Sequence, residues 1–139
     1  DNGLVAEFDH PGTHDPTPFL TAPFALEVLA ELGGGSPDVV YRHNHDLACW
    51  TGAYLGELLD VPFTTPLDML GAMVTVSLPA AFGATPDDAE HVRAALEREQ
   101  IEAPILVLAA GLAVRISAQV YVDREDVERL GAALVALSR

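Results

Sequence analysis

A chain of 139 residues, half of them hydrophobic, is about one domain long and carries enough apolar material for a buried core. Its 21 acidic residues against 7 basic ones give a formal charge of −14, which repels phosphate backbones and anionic lipid surfaces and so argues against nucleic acid and membrane partners. No apolar run approaches the ~20 residues that cross a bilayer, and a single cysteine, Cys49, allows no intrachain disulfide, which fits a cytoplasmic setting.

All 7 basic residues are arginines, and no lysine occurs anywhere. The first residue is Asp1, without an initiator Met or a basic and apolar leader, so the start is expected to be a cut boundary. Residues 1 to 18 hold Gly3, Pro11, Gly12, Pro16 and Pro18 among polar residues, which predicts a loop. Thr17-Pro18 then offers a cap and a first-turn proline. Leu20, Phe24, Val28, Leu29 and Leu32 follow until Gly33-Gly34-Gly35, which predicts a first helix. Pro23 lacks an amide hydrogen, so a start there, capped by Thr21 or Ala22, is the alternative. Ser36-Pro37-Asp38 repeats the start signal, and the stripe Val40, Leu47, Trp50, Tyr54, Leu58 predicts a second helix of about six turns.

Pro62 and Pro66 break the chain. Beyond Gly71, Val74, Val76 and Leu78 alternate with Met73, Thr75 and Ser77, the period of a strand with two unlike faces. Thr85-Pro86-Asp87-Asp88 is a cap, a first-turn proline and an acidic first turn, feeding a helix whose apolar edge is Ala89, Val92 and Leu96. Ile105 to Leu108 is a short apolar run that Gly111 turns toward a second alternating segment. There Val114, Ile116, Ala118 and Val120 share one face, and Arg115, Ser117, Gln119 and Tyr121 the other. Asp123 caps a last helix with Glu125 and Asp126 at its positive end and the stripe Val127, Leu130, Leu134, Leu137.

The fold class read from this order is α/β, or α+β within the chain itself: two N-terminal helices, then a small, mainly antiparallel sheet with helices on one face. Two domains are predicted, 1–60 and 61–139. The first carries Phe8, Phe19, Phe24, Trp50 and Tyr54, more apolar bulk than a loop and two helices cover for each other, so it is expected to meet another domain or subunit. Of the histidines, His10 and His14 share a loop, whereas His43 and His45 point in nearly opposite directions on a helix; no metal site is predicted. Cys49 is expected to pack within a helix. No Ser-His-Asp order, metal-type cysteine spacing or phosphate loop is present, which removes hydrolases and nucleotide binders from contention.

Four segments occur in a telling order: Pro11 to Pro16 (PGTHDP), Ala72 to Pro79 (AMVTVSLP), Gln100 to Pro104 (QIEAP), and Val114-Arg115-Ile116-Ser117 with Tyr121 beyond. Together they resemble the class V aminotransferase-like proteins of fold type I, a pyridoxal-phosphate enzyme family, and most closely its isopenicillin N epimerase branch. The resemblance covers nearly the whole chain and implies its carboxy-terminal portion: the end of the large domain and an interdomain helix, then the small domain. It implies that Gly12 and Thr13 lie at a homodimer interface and bind the cofactor phosphate of the neighbouring subunit. It also implies that Arg115 grips the carboxylate of a small amino-acid substrate with two parallel hydrogen bonds. Without the resemblance, a Pro-Gly turn explains Thr13 equally well, and an arginine on a solvent face explains Arg115.

Such enzymes use pyridoxal phosphate as an electron sink once a lysine has formed an imine with its aldehyde. In the family that lysine precedes the Gly-Thr loop. The resemblance therefore implies a missing large domain or partner chain, no catalytic residue among these positions, no covalently bound cofactor, and no activity, isomerase or other, in the isolated chain. Relatives often have tyrosine-asparagine after the arginine strand, where this chain has Tyr121-Val122. Alternatives that stay open are a carbon–sulfur lyase or cysteine desulfurase-like member of the family, and a non-catalytic interaction module or one subunit of a split enzyme.

Overall fold

The structure, a computed structural model, describes residues 15–138. It divides into two compact units, Asp1–Pro37 and Asp38–Arg139. Among the described residues no helix is long and apolar enough to cross a membrane.

In the first unit, α1 spans Thr17–Leu32. Its start is secured by Asp15, whose Oδ1 accepts from the Thr17 amide at 3.0 Å and the Thr17 hydroxyl at 2.6 Å. The capping oxygen thus comes from Asp15 and not from Thr17. The Thr17 hydroxyl and amide together hold the Asp15 carboxyl below its ordinary range. The helix runs through Pro23, so the alternative start is not used, and the Thr21 hydroxyl donates to Thr17 O at 3.0 Å. No residue of α1 is buried. Gly34 and Gly35, at φ 70° and 114°, make the reversal that ends it.

In the second unit, α2 spans Pro37–Leu58. Its buried face is Val40, Asn44, Leu47, Ala48, Thr51, Gly52, Leu55 and Gly56. This is rotated from the predicted stripe: Trp50 and Tyr54 are half-buried at its flank and Leu58 is exposed. The cause is the notch made by Gly52 and Gly56, one turn apart, into which the chain returns Phe63. A Cβ on Gly52 would lie 2.4 Å from Phe63 Cζ. Small residues set the close face, and the large aromatics are displaced to its edge.

Strand β1 is Met73–Ser77, α3 is Pro86–Arg98, β2 is Ile105–Leu108, β3 is Gly111–Ser117 and α4 is Arg124–Leu137. Short 3₁₀ turns at Leu67–Met69 and Ala80–Phe82 flank β1. The three strands form an antiparallel sheet in the order β1-β3-β2, with Val76 opposite Val114 and Ile105 opposite Val114 on its other side. Both α3 and α4 begin with complete capping boxes, Thr85 with Asp88 and Asp123 with Asp126.

One core joins the elements of this unit: Leu47 and Leu55 of α2, Val74 and Val76 of β1, Leu96 of α3, Val114 of β3, Val127 and Leu134 of α4. The helix-facing sides of the strands are buried while Met73, Thr75, Ser77, Arg115 and Ser117 stay exposed, which is the predicted sheet with helices on one face. Two expectations are corrected. β3 ends at Ser117, because the Gln119 side chain accepts from the Val120 amide at 2.8 Å and Val122 N donates to Gln119 O at 2.8 Å, turning the chain out of the ladder. Val120 and Tyr121 are therefore not strand residues and both are exposed, as is Leu137 at the end of α4.

Candidate functional site

Arg115 reaches the surface because of the pleat of β3. Val114 and Ile116 fill the helix-covered face, so the side chain between them emerges on the open one. Thr75 of β1 is its cross-strand neighbour, and on the other flank the Arg115 amide donates to Pro104 O at 3.0 Å. That bond holds the segment from Gln100 to Pro104 against the end of β3, just before β2 begins.

A cleft of about 540 Å³ results, lined by Gln100, Glu102, Arg115, Ser117, Tyr121 and Arg129 among others. Two of the segments singled out in the sequence, Gln100 to Pro104 and Arg115 to Ser117 with Tyr121, thus meet in one place although Tyr121 has left the strand. Gly12, Thr13, His10 and His14 lie outside the described residues.

The charged groups of the cleft differ in how they are occupied. The Asp126 carboxylate accepts from Asp123 N at 3.2 Å, and Arg129 Nη2 donates to Glu99 O at 3.4 Å. Among the described residues, the side chains of Arg115 and Glu102 form no hydrogen bond or ion pair, and the ion pair present joins Arg93 to Glu90 elsewhere on α3. An unoccupied guanidinium presents five N–H donors in a planar fork suited to a carboxylate. Sequence reasoning named Gln100 and Glu102 only as parts of a motif. The signal for their placement is Pro104, whose carbonyl couples that segment to β3.

A second polar feature crosses α2 and α4. Trp50 and Tyr54 stack with ring centroids 4.9 Å apart, and the Arg124 guanidinium lies 4.8 Å from the Trp50 ring centroid. Farther along α2, His45 Nδ1 donates to Leu70 O at 3.1 Å, leaving Nε2 to face the Cys49 sulfur at 3.5 Å. Burial first, and the Asp46 charge second, push the Cys49 thiol up, so it is not an activated thiolate. His43 is exposed, and among the described residues no three metal-ligating side chains cluster. Asn44 donates to Gln119 Oε1 at 3.3 Å, while its own Oδ1 and the Thr51 hydroxyl are buried without a partner among the described residues.

No family model matches the chain. It is 32% identical, over 99% of its length, to a probable L-cysteine desulfhydrase, chloroplastic, of Arabidopsis thaliana. It is 33% identical over 91% of its length to an isopenicillin N epimerase of Streptomyces clavuligerus, and 32% identical over 92% to that of Amycolatopsis lactamdurans. In sequence the chain is similar to class V aminotransferase-like proteins. It spans about 31% of the length of each of these relatives. Desulfhydrases and epimerases of this class V family match it at nearly equal identity, so identity alone does not separate the two branches.

This similarity raises the question of the cofactor. Pyridoxal phosphate is held through its aldehyde by a side-chain amine, and this chain has none at any of its 139 positions. The residues present therefore do not make a complete cofactor site.

Proposed function

We propose that this chain is the carboxy-terminal, substrate-carboxylate-binding portion of a pyridoxal-phosphate-dependent amino-acid enzyme of the isopenicillin N epimerase type. The observation that carries the proposal is Arg115: a strand-anchored guanidinium, exposed in a cleft, with no side-chain partner among the described residues. Its task is to bind and orient. Two parallel bonds to a planar carboxylate fix the rotation of the bound amino acid, and the rigid three-stranded ladder fixes the guanidinium. Steps that need an amine on the cofactor belong to residues outside these positions. In this reading Gly12 and Thr13 contact the cofactor phosphate of a dimer mate, and α1 and α2 lead from a large domain or partner chain that carries the lysine.

A desulfhydrase-type reaction is the second reading, supported by the nearly equal identity to the Arabidopsis protein. Both readings use Arg115 in the same way. The test is kinetic, in the assembly that contains this chain and the lysine-bearing region. Arg115→Gln should raise KM for the amino-acid substrate by roughly 100-fold, the scale of a lost charge-assisted bidentate pair. Unchanged KM would refute the assignment.

A further inference from the structure

Gln100 adopts φ 58°, the left-handed region that favours glycine. It follows the end of α3, where its amide donates to Glu97 O at 2.9 Å and the Ile101 amide donates to Leu96 O at 3.0 Å. That is the helix-terminating reversal in which glycine is the usual residue. The other described residues at positive φ are Gly34, Gly35, Gly83, Gly111 and Asp60. Aspartate is among the side chains enriched in this conformation; glutamine is not. Local geometry alone therefore favours glycine at position 100.

The residue that carries this strain lines the same cleft as Arg115. Its carboxamide offers two donors and an acceptor. We infer that Gln100 is a specificity residue, one that selects amino acids bearing a neutral, hydrogen-bonding side chain. The inference rests on the reading of Arg115 as the carboxylate ligand.

L-asparagine and L-leucine test it, because their side chains have nearly the same shape and differ in the amide. Each is titrated into the isotope-labelled full chain and followed by NMR, alongside Gln100→Gly, Gln100→Met and Arg115→Gln. The chain should prefer asparagine by roughly tenfold, the scale of one hydrogen bond to a site built for it. Gln100→Gly and Gln100→Met should both abolish the preference without weakening leucine binding, and Gln100→Gly should melt no lower than the unaltered chain. Binding that depends on Arg115 but keeps its preference in both Gln100 variants overturns this inference alone, as does a Gln100→Gly variant that melts several degrees lower. Binding of neither amino acid, or binding unaffected by Arg115→Gln, overturns the carboxylate reading and the inference with it.

Discussion

Thr75 stands directly opposite Arg115 across the β1–β3 ladder, on the sheet face that the helices leave open. Directly opposed side chains in an antiparallel pair lie close enough for an acid at position 75 to capture the guanidinium. Thr75→Glu should raise stability by about 0.2–1 kcal/mol, as a cross-strand ion pair does, while weakening carboxylate binding roughly tenfold by occupying Arg115. Thermal melts and a carboxylate titration of the same variant check both halves. A gain in stability with undiminished binding would show that Arg115 is not the ligand.

The notch on α2 gives a packing prediction. A methyl on Gly52 would lie 2.4, 2.7 and 2.8 Å from ring atoms of Phe63, too close to be absorbed without moving the ring. Alanine gains about 1 kcal/mol over glycine from helix propensity alone, and overpacking costs about 1–3 kcal/mol. Gly52→Ala should therefore be neutral to destabilising by about 2 kcal/mol in denaturant unfolding. The same change in a Phe63→Ala background should be stabilising, since the propensity term then acts alone. Equal effects in both backgrounds would show that Phe63 does not fill the notch.

The cap of α3 gives a pH dependence. Asp88 accepts from the Thr85 hydroxyl at 2.7 Å and from the Thr85 and Ala84 amides at 3.0 Å each. These bonds, the hydroxyl first, lower its pKa from the ordinary 3.8. A folded pKa below the unfolded one favours the ionised native state, so the contribution is complete above the ordinary value and disappears as pH falls through the folded one. Melting of the unaltered chain and of Asp88→Asn should differ at about pH 6 and converge at about pH 2. Thr85→Ala should cost about 1 kcal/mol at neutral pH. A gap that persists undiminished in acid would contradict the assignment.

Cys49 is expected to alkylate slowly. Its thiol is half-buried and its pKa is raised, so little thiolate exists at neutral pH. Its reaction with iodoacetamide should be slower than that of a free thiol and should accelerate on unfolding in urea. Rapid alkylation of the native chain would mean that His45, 3.5 Å away, activates the sulfur.

The elements of this fold were legible in the sequence wherever local chemistry decides them. Thr85-Pro86 and Asp123 marked helix starts that the capping boxes realise, and the alternation around Val74 and Val76 gave β1 its buried face. What escaped were consequences of contacts distant in sequence. The true face of α2 depends on Phe63 returning to Gly52, and β3 stops at Ser117 because the Gln119 side chain closes a turn that periodicity does not register. Family resemblance singles out Arg115, and alternation places it in a strand. Its meeting with Gln100 and Glu102 was not legible, because the bond between the Arg115 amide and Pro104 O joins segments that no short motif connects.

The guanidinium of Arg115 carries the proposed role, and the most direct test reads that group itself. In the isotope-labelled full chain, the Nε–Hε resonance of Arg115 should shift saturably as L-alanine is added and should not shift with ethylamine, which lacks the carboxylate. A resonance that ignores L-alanine, or that responds equally to both, would contradict the proposal that this side chain receives a substrate carboxylate.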